Sequence, residues 1–89
     1  MNYHYPIDET WTKEEVIDVV KFFSLIEKAY ESKVNREEVL LQYNRFKQVV
    51  PSKSEEKTLL KQFEKQSGYV GYLVLKKAKE ADGNFISMK

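Results

Sequence analysis

The chain has 89 residues, 42% hydrophobic and 33% charged, which predicts one small globular domain rather than a disordered or fibrous protein. Its formal net charge is +1, so no strong overall field favours nucleic acid or a membrane surface. It contains no cysteine, which excludes disulfides, thiolate nucleophiles and cysteine-ligated metal sites.

The N-terminus lacks the basic stretch and the following apolar run of a secretory signal. No apolar run approaches the roughly 20 residues that span a bilayer. We therefore expect a soluble, cytoplasmic protein with no membrane partner.

Residues 1–11 are predicted to form an extended N-terminal arm, because Pro6 disfavours helix in the residue before it. The side chains that can lie against the helices are Tyr3, Tyr5 and Ile7. His4 is the only histidine, and it has no second histidine or cysteine nearby with which to chelate a metal. We expect His4 to be an incidental surface or packing residue.

Three capping patterns predict where helices begin. In each, a capping residue is followed three positions later by a glutamate: Thr12 and Glu15, Asn35 and Glu38, Ser52 and Glu55. Pro51 ends the helix that precedes the third cap. The patterns predict helices over about 13–31, 36–49 and 53–66.

The first predicted helix has apolar residues around more than half of its circumference, at about 100° per residue. Such a helix is either central to a bundle or turns part of its surface toward a partner. On the second interpretation, the candidate partner surface consists of Phe22, Leu25 and Ala29.

The segment YVGYLVL has the composition of a buried strand, but the strong helix formers KKAKEA follow it and Gly83 stands where a helix would stop. A lone strand without a partner is not stable. We therefore predict a fourth helix over residues 69–81. The tail 84–89 is expected to fray, although Phe85 and Ile86 are able to dock.

Seven lysines form a candidate basic surface. Four recur at every fourth position of the third helix and three lie in the fourth: Lys53, Lys57, Lys61, Lys65, Lys76, Lys77 and Lys79. On a helical wheel the first four lie opposite the apolar face around Leu60 and Phe63, which is typical of a solvated face. With Tyr69 and Tyr72, the last three resemble the aromatic and basic mixture of single-strand binders.

No constellation in the sequence points to catalysis, a cofactor or a metal ion. Glu14, Glu15 and Asp18 cluster at a helix start, where the helix dipole favours carboxylates, and a weak divalent-cation site is the alternative. The three glycines do not form a phosphate-binding loop, and no serine lies in a nucleophile elbow.

Charge is divided unevenly along the chain. Residues 1–32 carry seven acids and three lysines, whereas residues 33–89 carry twelve basic and seven acidic residues. The net charges of −4 and +5 either hold the first helix against the others or let two copies associate. The pattern does not choose between these interpretations.

Four blocks in order, YPIDETW, EVIDVVKFFSLIEKAYE, RFKQVVPSKSEEK and SGY followed by KKAKE, resemble the uncharacterised protein family numbered 0223 of low-GC Gram-positive bacteria. The resemblance runs from Tyr3 to about Glu80, with the tail outside it. It implies a small, helical, cytoplasmic protein with no assigned activity, so there are no functional residues to carry over.

Together these observations predict an all-α, single-domain array of about four helices with the N-terminal arm packed across them. We expect a non-enzymatic interaction module, a small adaptor or regulator, whose partner is a protein or a second copy of the chain. The alternative is a nucleic-acid-associated factor that uses the basic surface.

Overall fold

A computed structural model describes residues 5–89 and contains four helices and two short strands in this part of the chain. Their bounds are α1 Lys13–Glu31, β1 Val34–Asn35, α2 Arg36–Val49, α3 Lys53–Ser67, α4 Gly71–Glu80 and β2 Phe85–Ile86. The predicted all-α class with four helices is confirmed, and residues 71–80 are helix rather than strand. The predictions for Tyr3 and His4 fall outside the described residues.

The predicted caps determine where the first three helices begin. The Thr12 hydroxyl accepts a hydrogen bond from the Glu15 N–H (3.2 Å), and the Glu15 carboxylate accepts one from the Thr12 N–H (2.8 Å). At α2 and α3 the side chains of Asn35 and Ser52 accept bonds from the backbone N–H three residues later. Each cap contributes about 1 kcal/mol, a useful fraction of the stability of a small domain.

Helix α1 is the central element, and the other elements bury it. The Phe22 ring stacks on Phe46, and the Phe23 ring meets Phe63, each with ring centroids 4.6 Å apart. All four rings are fully buried, and each contributes roughly 1.5–3 kcal/mol of hydrophobic stabilisation. The aromatic side chains of α1 therefore join α2 and α3 into one core.

The prediction of a partner surface on α1 is wrong. Phe22 and Ala29 are fully buried and Leu25 is 6% exposed, so none of them is available to a partner of the folded chain. The broad apolar surface of α1 instead reflects its central position, the other interpretation of that pattern. Periodicity reports how much of a helix is apolar, but not which neighbours cover it.

The described part of the N-terminal arm packs across α1 and α3. The Tyr5 ring lies 6.1 Å from Phe23 and 5.9 Å from Phe63, centroid to centroid. Its hydroxyl donates to the Glu27 carboxylate and lies 3.3 Å from the Ser24 hydroxyl. Tyr5 thus packs as expected, whereas Ile7 is exposed and does not.

The tail 84–89 is held in place, so the prediction that it frays is wrong. Strands β1 and β2 pair antiparallel, with Val34 opposite Ile86, and both of these side chains are buried. Beyond the ladder, the Met88 N–H donates to the Ala29 carbonyl (2.8 Å). One buried isoleucine, backbone hydrogen bonds and two side-chain hydrogen bonds at Ser87 hold the tail. A two-residue strand is too short to produce a recognisable alternating pattern in the sequence.

Candidate functional site

Helices α3 and α4 form an antiparallel pair, and a glycine lets them approach closely where α4 begins. A Cβ atom at Gly71 would lie 2.8 Å from Leu60 Cδ2 and 2.9 Å from Ile26 Cδ1. Any larger residue would therefore require these two terminal methyl groups to shift in a packed region. The adjoining loop is held by the Tyr30 hydroxyl, which accepts a hydrogen bond from the Val70 N–H (3.1 Å).

At the opposite end, a buried polar contact joins α3 to α2. The Tyr43 hydroxyl donates a hydrogen bond to Glu56 Oε2 (3.0 Å), and both side chains are buried. Lys47 Nζ and Lys79 Nζ lie over the Tyr43 ring, 5.1 and 5.6 Å from its centroid. The end of α4 therefore meets the beginning of α3 around one tyrosine.

The pKa of Tyr43 is raised at this contact. Burial is the main cause and raises this pKa to about 12, and the hydrogen bond to Glu56 acts in the same direction. The phenol is therefore neutral at physiological pH and acts as a donor to the Glu56 carboxylate. Glu56 also lies in the first turn of α3, where the helix dipole favours a negative charge.

Between these two ends lies an open groove of about 870 Å³, which we call the α3–α4 groove. Its larger apolar lining residues, which we call the floor, are Leu60, Val70, Tyr72 and Leu75. Its lysine rim consists of Lys53, Lys57, Lys61, Lys76 and Lys79. Tyr72 is the most exposed part of the floor, with 63% of its surface accessible to solvent.

The structure brings together five of the seven lysines of the candidate basic surface. Lys65 lies beside the groove, in a shallow depression that it shares with Lys61. Lys77 points elsewhere, because its Nζ donates to the Ser87 carbonyl (2.6 Å) in the tail. The four lysines of α3 are solvent-exposed, as predicted, and Lys53, Lys57 and Lys61 also line the groove.

Two of the three acids at the start of α1 make structural contacts. Glu15 completes the capping box, and the Asp18 carboxylate lies 3.9 Å from Arg45 Nη1. Gln42 donates to the Asp18 carbonyl (2.8 Å). Within residues 5–89, no three acidic or histidine side chains are grouped so that they could hold a metal ion.

The apolar floor was not found from the sequence. The α3 lysines lie opposite Phe63, so the helical wheel assigns them to solvent, and nothing in the sequence shows that α4 packs beside them. Gly71 was the available signal, since a glycine inside an apolar run often marks a close backbone approach. Among residues 5–89, no helix is both long and apolar enough to span a bilayer.

Comparison with known proteins gives one consistent result. The sequence model of the family described as "Uncharacterised protein family (UPF0223)" matches residues 2–87, so the match includes most of the tail. A UPF0223 protein of Oceanobacillus iheyensis is 64% identical over 88 residues, covering 99% of this chain and all of the relative. The UPF0223 protein YktA of Bacillus subtilis is 50% identical with the same coverage. A Staphylococcus haemolyticus relative is 48% identical over 79 residues, covering 89% of this chain and 88% of its own length.

Proposed function

Because the chain belongs to the uncharacterised protein family UPF0223, whose name gives no activity, we propose a function from its α3–α4 groove. The function is that of a non-enzymatic protein–protein interaction module, a small adaptor or regulator. The observation that carries the proposal is an open apolar floor bordered by lysines. We propose that the protein acts in the cytoplasm.

The apolar floor supports a protein partner. Leu60, Val70 and Leu75 are aliphatic, and Tyr72 adds a large exposed ring. Apolar grooves between helices are a common way to bind a segment of another protein, because they bury its apolar side chains while polar rims fix its orientation. An aromatic anchor of this kind often dominates the binding energy.

The polar groups around the groove support binding rather than catalysis. The five lysines are exposed, and none of them forms an ion pair with another described residue. Glu56, the buried carboxylate of the groove, is bound to Tyr43. Exposed lysines around an apolar surface suit the recognition of charge better than the transfer of protons.

Site-specific photo-cross-linking in living cells tests the proposal. A photo-reactive phenylalanine replaces Tyr72 in the groove or, as a matched control, exposed Lys21 on α1, and each variant is expressed in Bacillus subtilis. We expect discrete protein adducts from position 72 that are absent from position 21. Equal adduct patterns from the two positions, or no protein adduct from position 72, would refute the proposal.

The alternative function is a nucleic-acid-associated factor, and the five lysines on one surface favour it. The same experiment separates the two functions. Nuclease treatment after cross-linking leaves protein adducts unchanged, whereas it shortens adducts with nucleic acid. A cross-linked dimer from position 72 would identify the partner as a second copy of the chain.

A further inference from the structure

We propose that the α3–α4 groove binds an acidic amphipathic helix of a partner protein. The apolar face of that helix lies on the floor formed by Leu60, Val70, Tyr72 and Leu75, and its carboxylates meet the lysine rim. This inference rests on the proposed interaction function and identifies the chemistry of the partner.

The spacing of the rim fits a helical ligand. Lys53, Lys57 and Lys61 recur every four residues along α3, and Lys76 and Lys79 lie three apart on α4. Steps of three or four residues advance about 4.5–6 Å along a helix axis. Carboxylates at the same spacing on a partner helix present their charges at matching intervals. One row of lysines lies on α3 and the other on α4, and residues of both helices line the groove.

The charge of the groove selects an acidic ligand. Five lysines and two glutamates, Glu56 and Glu64, line it, which leaves a net charge of +3 when all are ionised. One of those glutamates is buried and hydrogen-bonded to Tyr43, so it presents little charge to a ligand. The remainder of the lining is apolar or neutral. An acidic helix would therefore be steered toward this groove and oriented within it.

Single-stranded nucleic acid fits the floor less well than a helix does. Sequence-tolerant binding of single strands uses aromatic faces on which successive bases stack. Two tyrosines line the groove, but only Tyr72 is exposed, because Tyr43 is buried beneath Lys47 and Lys79. The other floor residues, Leu60, Val70 and Leu75, are aliphatic, so they suit contact with leucine-type side chains better than stacking with bases.

Helix α1 of a second copy, the main element of the acidic residues 1–32, does not offer the required acidic amphipathic face. Of its apolar side chains only Ile17 is exposed, whereas Val16, Val20 and Tyr30 are half-buried and the others lie in the core. Its exposed surface also carries Lys13, Lys21 and Lys28 among its acids. A different protein, with leucines and glutamates on a free helix, suits the groove better.

Fluorescence anisotropy with designed peptides tests the inference. The probe is a labelled helical peptide of about 18 residues, with leucines on one face and glutamates beside them. One control peptide has the same composition in scrambled order, a second replaces the glutamates with lysine, and a labelled oligothymidine represents single-stranded nucleic acid. We expect the acidic amphipathic peptide to bind at least about tenfold more tightly than any control, since only it satisfies both floor and rim.

Two double variants with equal changes in charge locate the binding. K57E/K76E reverses one lysine on each wall, and K13E/K21E reverses two exposed lysines of α1. We expect at least about a tenfold loss of affinity in the first and less than about a twofold change in the second, because charge pairing is local. Tyr72→Ala should weaken binding without affecting the fold, which circular dichroism verifies for every variant.

Each result bears on the inference. Equal binding of the scrambled or basic peptide, tighter binding of the oligonucleotide, or equal losses in the two double variants would overturn it. No peptide binding would overturn the acidic helix as the ligand, and protein adducts from position 72 would then still support the interaction function. If that position also gave no adduct, both proposals would fall together.

Discussion

The hydrogen bond between Tyr43 and Glu56 makes a quantitative test of how α3 is held against α2. Tyr43→Phe keeps the ring and removes the hydroxyl that donates to the buried Glu56 carboxylate at 3.0 Å. A hydrogen bond to a charged group contributes about 1.5–3 kcal/mol, and leaving a buried acceptor unpaired adds a desolvation cost. The position of Glu56 in the first turn of α3 offsets part of the loss through the helix dipole.

We therefore expect Tyr43→Phe to lower the free energy of unfolding by about 2 kcal/mol. For a domain of this size, that loss corresponds to a fall in Tm of about 8–16 °C. Urea denaturation followed by circular dichroism at 222 nm measures the change. Tyr72→Phe is the matched control, because its side chain is exposed and its hydroxyl should contribute less than about 0.5 kcal/mol.

The pH dependence supplies a second signature of the same contact. Burial, with the hydrogen bond to Glu56, raises the pKa of Tyr43 from 10.0 to about 12. The unfolded chain therefore loses this proton at lower pH than the folded chain does, and stability falls as the pH rises from about 10 to about 12. The difference in free energy of unfolding between wild type and Tyr43→Phe should therefore be largest below pH 10 and should decrease between pH 10 and pH 12.

A double-mutant cycle with Glu56→Gln measures how strongly the two side chains depend on each other. Glutamine keeps an oxygen that accepts from the Tyr43 hydroxyl, so we expect a smaller loss, about 1 kcal/mol. Two results would show that the role assigned to this contact is wrong. One is a loss of unfolding free energy in Tyr43→Phe no larger than that in Tyr72→Phe. The other is a difference in unfolding free energy between Tyr43→Phe and wild type that stays constant up to pH 12.

Three further predictions concern other contacts. Gly71→Ala should destabilise the protein by about 1–2 kcal/mol, because the new Cβ would lie 2.8 Å from Leu60 and 2.9 Å from Ile26. Gly83→Ala is the control and should be near neutral, because the space around this residue is open. Thermal melting measures both changes. Ile86→Ala should cost about 2–4 kcal/mol in urea denaturation and the exposed Phe85→Ala less than half as much, and equal small losses would show that the tail does not contribute to stability. Burial, followed by the nearby charge of Glu31, raises the pKa of Glu27 above its ordinary value of 4.5, so the contribution of this carboxyl to stability falls as the pH rises above 4.5. Stability measured against pH should lack this fall in Glu27→Gln. A curve of stability against pH parallel to that of wild type would contradict the assignment.

Much of the helical framework was readable from the sequence because its signals are local. A cap involves residues three positions apart, so Thr12 with Glu15 and Ser52 with Glu55 mark helix starts without any knowledge of the fold. The predicted ranges of α1 and α2 agree with the structure to the residue, and α3 is one residue longer than predicted. Helix α4 is three residues shorter, and no side chain caps its start.

The errors concern contacts between residues far apart in the sequence. The partner surface predicted at Phe22 is wrong because periodicity cannot show that Phe46 stacks on this ring. The prediction of a frayed tail is wrong because Ile86 pairs with Val34, which lies far away in the sequence. The groove depends on how closely Gly71 lets α4 approach α3, which is a tertiary property.

The central position of α1 also has a consequence for the protein while it is being made. Residues from much of the rest of the chain cover this helix: Phe46 and Phe63 cover its aromatic side chains, and Met88 binds the Ala29 carbonyl. During translation α1 emerges first, and Phe22, Leu25 and Ala29 stay uncovered until later segments leave the ribosome. The apolar surface that the folded protein buries is therefore exposed to solvent on the nascent chain.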